Sequence, residues 1–447
     1  MGKIFGTDGV RGQANLELTA ELAFKLGRAA AFVLKPEEGC KREIIIGRDT
    51  RISGSMLENA LAAGICSAGV DVVKVGIVPT PGIAFLTREL KAMAGVVISA
   101  SHNPVGDNGI KFFNSKGFKL PDEVEDEIEK IIFNGLKEVP YPVGKDVGKV
   151  QVCHNARELY LKFLKEKFKG DLKGIKIVVD CANGAASEFT PPLLRSLGAE
   201  VISIFDQPDG LNINENCGST HIENLCETVV KEKADLGLAH DGDADRLLAV
   251  DHLGNVVDGD QILVICGLDL LRKKALRENR VVVTVMSNLG LKQAFEKNGV
   301  LVEETKVGDR YVLERMLETG AVLGGEQSGH VIFLDDNTTG DGILTALKLL
   351  EVVKNSGKPL AELALQMEKL PQVLENVRVK EKSGWEANSR IKAIIEEKKA
   401  TLGKDGRILV RASGTEPLIR VMAEGKDLSL LEQVVHEIAK VIGEELN

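Results

Sequence analysis

Three segments of this chain repeat one grammar, and that repetition constrains the fold more than anything else in the sequence. They are REIIIGRDTRISGSMLENALAAGICSAGVDVVKVG at 42–76, GIKIVVDCANGAASEFTPPLLRSLGAEVISIFD at 174–206 and NRVVVTVMSNLGLKQAFEKNGVLVEETKVG at 279–308. Each opens with a β-branched run, turns at Gly, Asn or Ser, and continues with the spacing of an amphipathic helix. Each then passes a glycine (Gly69, Gly198, Gly299) into a second β-branched run. That is a βαβ unit, and its all-apolar runs predict parallel strands covered on both faces.

Each unit is followed by a further short apolar run that stops in a polar, glycine-rich loop: AGVVISASHNP at 94–104, ADLGLAHDGDADR at 234–246 and GAVLGGEQSGH at 320–330. In open α/β sheets, ligand sites lie beyond the carboxyl ends of the strands. The expectation is three similar mixed α/β domains, each presenting one loop to a shared site. After about residue 368 the pattern changes to strand, helix, strand, strand, helix, which predicts a smaller α+β domain with an antiparallel sheet. The predicted domains are 1–152, 153–253, 254–367 and 368–447, with a helix at 153–168 joining the first two. A chain of 447 residues is long enough for that many cores.

Composition narrows the partners. Aromatic residues make up only 4% of the chain and the formal net charge is −9, which argues against nucleic acid as a partner. No stretch reaches the roughly 20 apolar residues of a membrane span. The N-terminus has no apolar export region, and Gly6 stands where a myristoylation site wants Ser or Thr. Seven widely spaced cysteines without a CxxC pair fit a reducing cytoplasm. A homodimer is the default assembly.

The loops carry the chemistry. In DGDADR (241–246), Asp241, Asp243 and Asp245 alternate, and in extended backbone alternate side chains converge. Three carboxylates together call for a cation, and oxygen ligands suit Mg²⁺ or Mn²⁺. An EF-hand is excluded by Arg246 at position 6 and His252 at position 12. A dehalogenase-type aspartyl nucleophile is disfavoured, because Asp245 occupies the place of its Thr. Ser101 follows a buried strand, as a nucleophile in an α/β site does. Its neighbour His102 is not expected to serve it as a base, since adjacent side chains diverge in extended backbone. The loop does not read GxSxG either. In RASGTEPLIR (411–420), Arg411, Ser413, Gly414, Thr415 and Arg420 offer the donors that a phosphate dianion takes. In GGEQSGH (324–330), Glu326 and Ser328 suit sugar hydroxyls, and His330 suits proton transfer. Arg11 and Lys111 are candidates to steady phosphate charge.

Taken in order, FGTDGVRG, ISASHNPVGDNGIK, DGDADR, VGDRYV, GGEQSGH and RASGTEPLIRVMAE resemble the α-D-phosphohexomutase superfamily over essentially the whole chain. SASHNP with GEQSGH is similar to its amino-sugar branch, whereas the phosphomannomutase and phosphoglucomutase branch more often reads TGSHNP. The resemblance implies four domains around a central cleft. It implies a serine, Ser101, that is phosphorylated in the active enzyme. It implies one Mg²⁺ held by Asp241, Asp243, Asp245 and that phosphoserine. It implies a sugar-gripping pair, Glu326 and Ser328, and a loop (Arg411, Ser413, Gly414, Thr415, Arg420) for the non-reacting phosphate. Lys111 and His330 match proton-transfer positions, and Arg11 one that supports the reacting phosphate. The implied activity interconverts glucosamine 6-phosphate and glucosamine 1-phosphate through glucosamine 1,6-bisphosphate, supplying cell-wall precursors. The alternative within the superfamily is a phosphomannomutase or phosphoglucomutase. A phosphatase and a non-catalytic sugar-phosphate binder are the alternatives outside it.

Overall fold

The computed structural model describes residues 4–6, 8–403, 406–413 and 417–447. These form two compact units, one built from 1–286 with 300–366 and the other from 287–299 with 367–447.

The first unit contains three sheets. The six-stranded sheet is made of β1 (Val10–Gln13), β2 (Lys41–Arg48), β3 (Asp71–Ile77), β4 (Ala92–Ile98), β5 (Asp107–Asn114) and β6 (Val150–Val152), in the order β1-β5-β4-β2-β3-β6. The five-stranded sheet is made of β7 (Lys176–Asp180), β8 (Glu200–Ile204), β9 (Leu236–Ala239), β10 (Leu248–Asp251) and β11 (Val256–Val257), in the order β11-β10-β9-β7-β8. The four-stranded sheet is made of β12 (Arg280–Thr284), β13 (Leu301–Thr305), β14 (Leu323–Gly325) and β15 (Val331–Phe333), in the order β13-β12-β14-β15.

One motif underlies all three sheets. A central strand (β2, β7, β12) pairs in parallel with the next strand on one side and with the one after on the other. The latter strand then pairs antiparallel with its successor: β4 with β5, β9 with β10, β14 with β15. The expected βαβ units are therefore present, and each of the three polar loops is the turn before the antiparallel return strand. The inner parallel strands are apolar because both faces are covered, whereas the outer strands β8 and β13 are only partly buried and carry Glu200, Glu303 and Glu304, so the expectation of coverage on both faces fails at the sheet edges. Every residue of β4 is buried, and Ile44, Ile45 and Ile46 of β2 are fully so.

Helix Ala20–Val33 packs against helix Ser53–Ser67 almost backbone to backbone. A Cβ on Gly27 would come 2.4 Å from the Leu61 carbonyl oxygen, and one on Gly64 would come 2.1 Å from that of Phe24. The helix expected over 153–168 spans Ala156–Glu166, and its Tyr160 is buried with the hydroxyl donating to Asp341.

The second unit is the α+β domain. It holds an antiparallel sheet of β16 (Gln372–Arg378), β17 (Gly406–Ala412) and β18 (Leu418–Gly425), in the order β16-β18-β17, covered by helices Ser389–Leu402 and Leu428–Leu446. The first of these helices begins at Ser389, where Asn388 caps it through the Arg390 and Ile391 amides. Helix Leu289–Lys297, the crossover of the third βαβ unit, also packs in this unit. Asn288 Nδ2 donates to the Leu370 carbonyl, the Leu289 amide donates to Glu424, and a Cβ on Gly290 would collide with the Glu368 carbonyl.

Candidate active site

The three equivalent loops of the first unit meet. Ser101, in the loop after β4, donates its hydroxyl to Asp241 in the loop after β9. The Leu247 amide donates to the Gly329 carbonyl, which brings the loop after β14 against the same acidic loop. The Gly342 amide adds a bond to the Ala244 carbonyl.

Asp241, Asp243 and Asp245 are buried, and one carboxylate oxygen from each lies within 4.8 Å of the others. The convergence expected from extended backbone is reached differently. The loop is a turn, with the Ala244 amide bonded to the Asp241 carbonyl and Ala244 at φ 54°. Burial and the like charges of Asp245 and Asp243 push Asp241 well above the usual carboxylate range. Asp243 Oδ1 and Asp245 Oδ1 are buried with no hydrogen-bond partner among the described residues. Orphaned oxygens in a cluster of like charge fit a hard divalent cation, which supplies the missing partner and offsets the repulsion. Asp243 Oδ2 has partners already. It accepts from Thr80 Oγ1 at 2.7 Å and lies 3.3 Å from Lys111 Nζ. Thr80 opens helix Thr80–Glu89, whose N-terminus also donates its first amide to the Asp243 carbonyl.

Ser101 is buried and adopts φ 50°. Because the backbone is left-handed there rather than extended, His102 does not diverge as expected. Its Nδ1 lies 3.4 Å from Ser101 Oγ. Burial and the cations Arg246 and Arg11 lower the His102 imidazole to about 4, so it stays neutral near pH 7.

A cavity of about 470 Å³ opens above these groups, of a size that suits a small polar ligand. Ser101, Asp245, Arg11, Glu326 and His330 line it, together with Asp8, Arg246 and Asp309. Arg11, on β1, is bonded to Asp8 at 2.5 Å. Glu326 accepts from the Gly308 amide at 3.1 Å, with the Ser328 hydroxyl at 3.4 Å from its other oxygen. His330 is buried, and among the described residues neither ring nitrogen has a hydrogen-bond partner, its Nε2 lying 3.5 Å from Asp309 and 3.9 Å from Asp245.

The remaining candidates lie in the second unit. Arg411 and Arg420 face each other across the β17–β18 ladder, and burial with the opposing guanidinium lowers Arg411. The carbonyl of buried Ser413 accepts from Lys382 Nζ at 2.8 Å. Gly414 and Thr415 lie outside the described residues.

Four models of the phosphoglucomutase/phosphomannomutase family match in order: alpha/beta/alpha domain I over 2–138, domain II over 158–254, domain III over 258–370 and the C-terminal domain over 374–441. The phosphoglucosamine mutase of Desulforamulus reducens is 62% identical over 443 residues, which is 99% of this chain and 100% of that protein. That of Carboxydothermus hydrogenoformans is also 62% identical, covering 99% of both chains. The chain belongs to the phosphoglucosamine mutase family. Among solved structures, a phosphoglucomutase/phosphomannomutase family protein from Burkholderia thailandensis superposes with a TM-score of 0.82 at 26% identity, over 99% of this chain and 98% of that one.

Motif reading of this phosphoglucosamine mutase family chain passed over several residues that build the site. Arg246 closes the DGDADR motif, lines the cavity and donates its amide to Asp241. Asp8 and Asp309 both accept from Lys119, which joins the FGTDGVRG and VGDRYV segments. Their signal was present, since each lies inside a quoted motif. Thr80 had none, because nothing in PTPG points to an acid 163 residues away.

Proposed function

We propose that this chain is an isomerase that interconverts glucosamine 6-phosphate and glucosamine 1-phosphate, with Ser101 as the phosphoryl carrier and glucosamine 1,6-bisphosphate as the intermediate. The observation that carries this reading is the buried Ser101 hydroxyl hydrogen-bonded to Asp241, at the floor of a cavity flanked by Arg11, Arg246, Glu326 and His330. A serine placed there offers its oxygen both to an incoming sugar phosphate and to the acidic cluster.

In the forward step a sugar hydroxyl attacks the phosphorus of phosphoserine. The new P–O bond forms on the sugar, the P–Oγ bond breaks, and the hydroxyl proton is taken up as Ser101 Oγ regains one. His330, which lines the cavity and has no hydrogen bond to either ring nitrogen among the described residues, is assigned that proton transfer. Lys111 supplies fixed positive charge, since three carboxylates hold it protonated despite burial. Arg11 and Arg246 are assigned the reacting phosphate, and Glu326 with Ser328 the sugar hydroxyls. Mg²⁺ held by Asp241, Asp243 and Asp245 would neutralise charge on the transferring group. Arg411, Ser413 and Arg420, with Gly414 and Thr415, are assigned the non-reacting phosphate. The bisphosphate then presents its other phosphate to Ser101. No described helix is long and apolar enough to cross a membrane.

Turnover of glucosamine, mannose and glucose 6-phosphates by one preparation tests the reading. Glucosamine 6-phosphate is expected to lead, and a preference for mannose or glucose phosphate would move the chain to the alternative branch. Ser101→Ala is expected to abolish isomerisation, and surviving turnover removes Ser101 from its role.

A further inference from the structure

Ser101 is a non-glycine residue in the left-handed region, a conformation that persists only where the surroundings over-determine it. Its backbone is held at both ends. On the amino side, the Ser101 amide donates to Ser99 Oγ at 2.9 Å, and Ser99 in turn donates to Asp49 Oδ2 at 2.7 Å. On the carbonyl side, the Ser101 oxygen accepts two bonds, one from Arg51 Nη2 at 3.0 Å and one from Asn214 Nδ2 at 2.8 Å.

The same two side chains go on to the next carbonyls of the loop. Arg51 Nη2 also reaches Asn103 O at 2.8 Å, and Nη1 reaches Pro104 O at 2.5 Å. Asn214 Nδ2 reaches Asn103 O at 3.0 Å. Arg51 is wholly buried, and its charge is met by Asp49 at 2.9 Å. Its fork therefore spans three carbonyls in a fixed plane, a geometry an ammonium group does not reproduce. Asn214 comes from the segment between β8 and β9, on the far side of the serine loop. A Cβ on Gly242 would lie 2.7 Å from the Ser101 carbonyl oxygen, so the acidic loop abuts the same atom.

We propose that Arg51 and Asn214 are positioning residues for phosphoryl transfer. They clamp the Ser101 and Asn103 carbonyls from the segments that follow β2 and β8, strands of two different sheets, so that the serine oxygen points at the aspartate cluster. The clamp holds backbone carbonyls only and does not engage the hydroxyl, which donates to Asp241. The inference rests on the reading of Ser101 as the carrier. Its consequence is kinetic, because a misplacement of about 1 Å can cost on the order of 100-fold in rate.

The test uses the full-length chain with Mg²⁺, carrying Asn214→Ala, Arg51→Lys or both. Readouts are kcat and KM for glucosamine 6-phosphate, melting temperature, and the rate at which glucosamine 1,6-bisphosphate phosphorylates Ser101, followed by intact mass. The expected result for each single variant is a fall in kcat and in phosphorylation rate on the order of 100-fold, with KM and the Mg²⁺-induced melting shift retained. The double variant loses less than the product of the two, because both side chains hold the same carbonyls. A folded Asn214→Ala protein that phosphorylates Ser101 at the parent rate overturns the clamp, as does a change confined to KM. If Arg51→Lys does not fold, Asn214→Ala decides alone. Ser101→Ala separates the layers. Turnover in that variant removes the carrier reading and the clamp with it. An inactive Ser101→Ala beside a fully active Asn214→Ala removes only the clamp.

Discussion

Lys111 Nζ lies 3.3 Å from Asp243 Oδ2, and both side chains are shut away from solvent. Asp8 stands 3.1 Å from the same ammonium, and Asp245 3.9 Å. Burial works against every charge in this group. The carboxylates nevertheless hold Lys111 above the usual lysine range, and Lys111 with the Thr80 hydroxyl holds Asp243 below the usual carboxylate range. One ammonium thus serves three acids, of which Asp8 is also paired with Arg11 and Lys119.

Replacing Lys111 with Met takes the nearest cation away from buried Asp243. Breaking a buried pair in this way costs about 3–5 kcal/mol. Added Mg²⁺ is expected to raise the melting temperature of Lys111→Met by more than it raises that of the parent, because the variant site is more negative. Equal gains in the two proteins would show that Lys111 and the divalent site are electrostatically independent.

Stripping divalent ions from the parent should lower both activity and thermal stability. Ligand present at 100 times its dissociation constant contributes about 2.7 kcal/mol to a folded state. Ser101→Ala should retain most of that Mg²⁺-dependent shift while losing isomerisation, since the aspartates remain. Calorimetry on chelated and reloaded protein checks both parts, and a Ser101→Ala protein blind to Mg²⁺ contradicts the second.

Gly340 leaves room for the His330 ring. A Cβ there would fall 2.4–2.5 Å from three of its atoms, so Gly340→Ala must tilt the imidazole. The expected loss in kcat is on the order of 10- to 100-fold, with a stability cost of about 1–3 kcal/mol for the overpacking. In the double variant with His330→Ala the added substitution should cost no further activity. Fully additive losses would mean that Gly340 acts elsewhere.

Asp180 ends β7 and accepts from the Ala182 and Gly218 amides. Burial outweighs those bonds and raises its carboxyl from 3.8 to about 6. The native state therefore binds this proton more tightly than the unfolded chain does. The associated stabilisation is complete below pH 3.8 and is lost as pH rises through about 6. That difference corresponds to about 3 kcal/mol. Urea denaturation of parent and Asp180→Asn between pH 4 and 7 should show the variant gaining relative to the parent as pH rises. A gap that does not change with pH would be evidence against the shift.

Much of the fold was legible because its signals are local. β-branched runs, helical spacing and glycine turns mark each βαβ unit within about 35 residues, and the order of the units follows from chain order. Ser101, the three aspartates, Glu326 and His330 are the candidates that sequence reading singles out, because each sits in a loop just beyond a strand. The shape of two of those loops is not legible: alternation reads as extended backbone at Ser101 and through 241–245, whereas Ser101 and Ala244 both take the left-handed conformation. Nothing in SASHNP or DGDADR reports that, since the restraints on Ser101 come from Arg51 and Asn214, 50 and 113 residues away.

By itself, the sequence determined the strand-helix alternation, the three loops that end it, and the kinds of groups those loops carry. Tertiary structure alone decided which groups meet: Ser101 with Asp241 across 140 residues, Lys111 with Asp243 across 132, and Leu289 with Glu424 across 135. The physical reason is range. Backbone preference and hydrophobic period act over a few residues, whereas the repulsion among buried carboxylates and the pairing that relieves it depend only on distance in space.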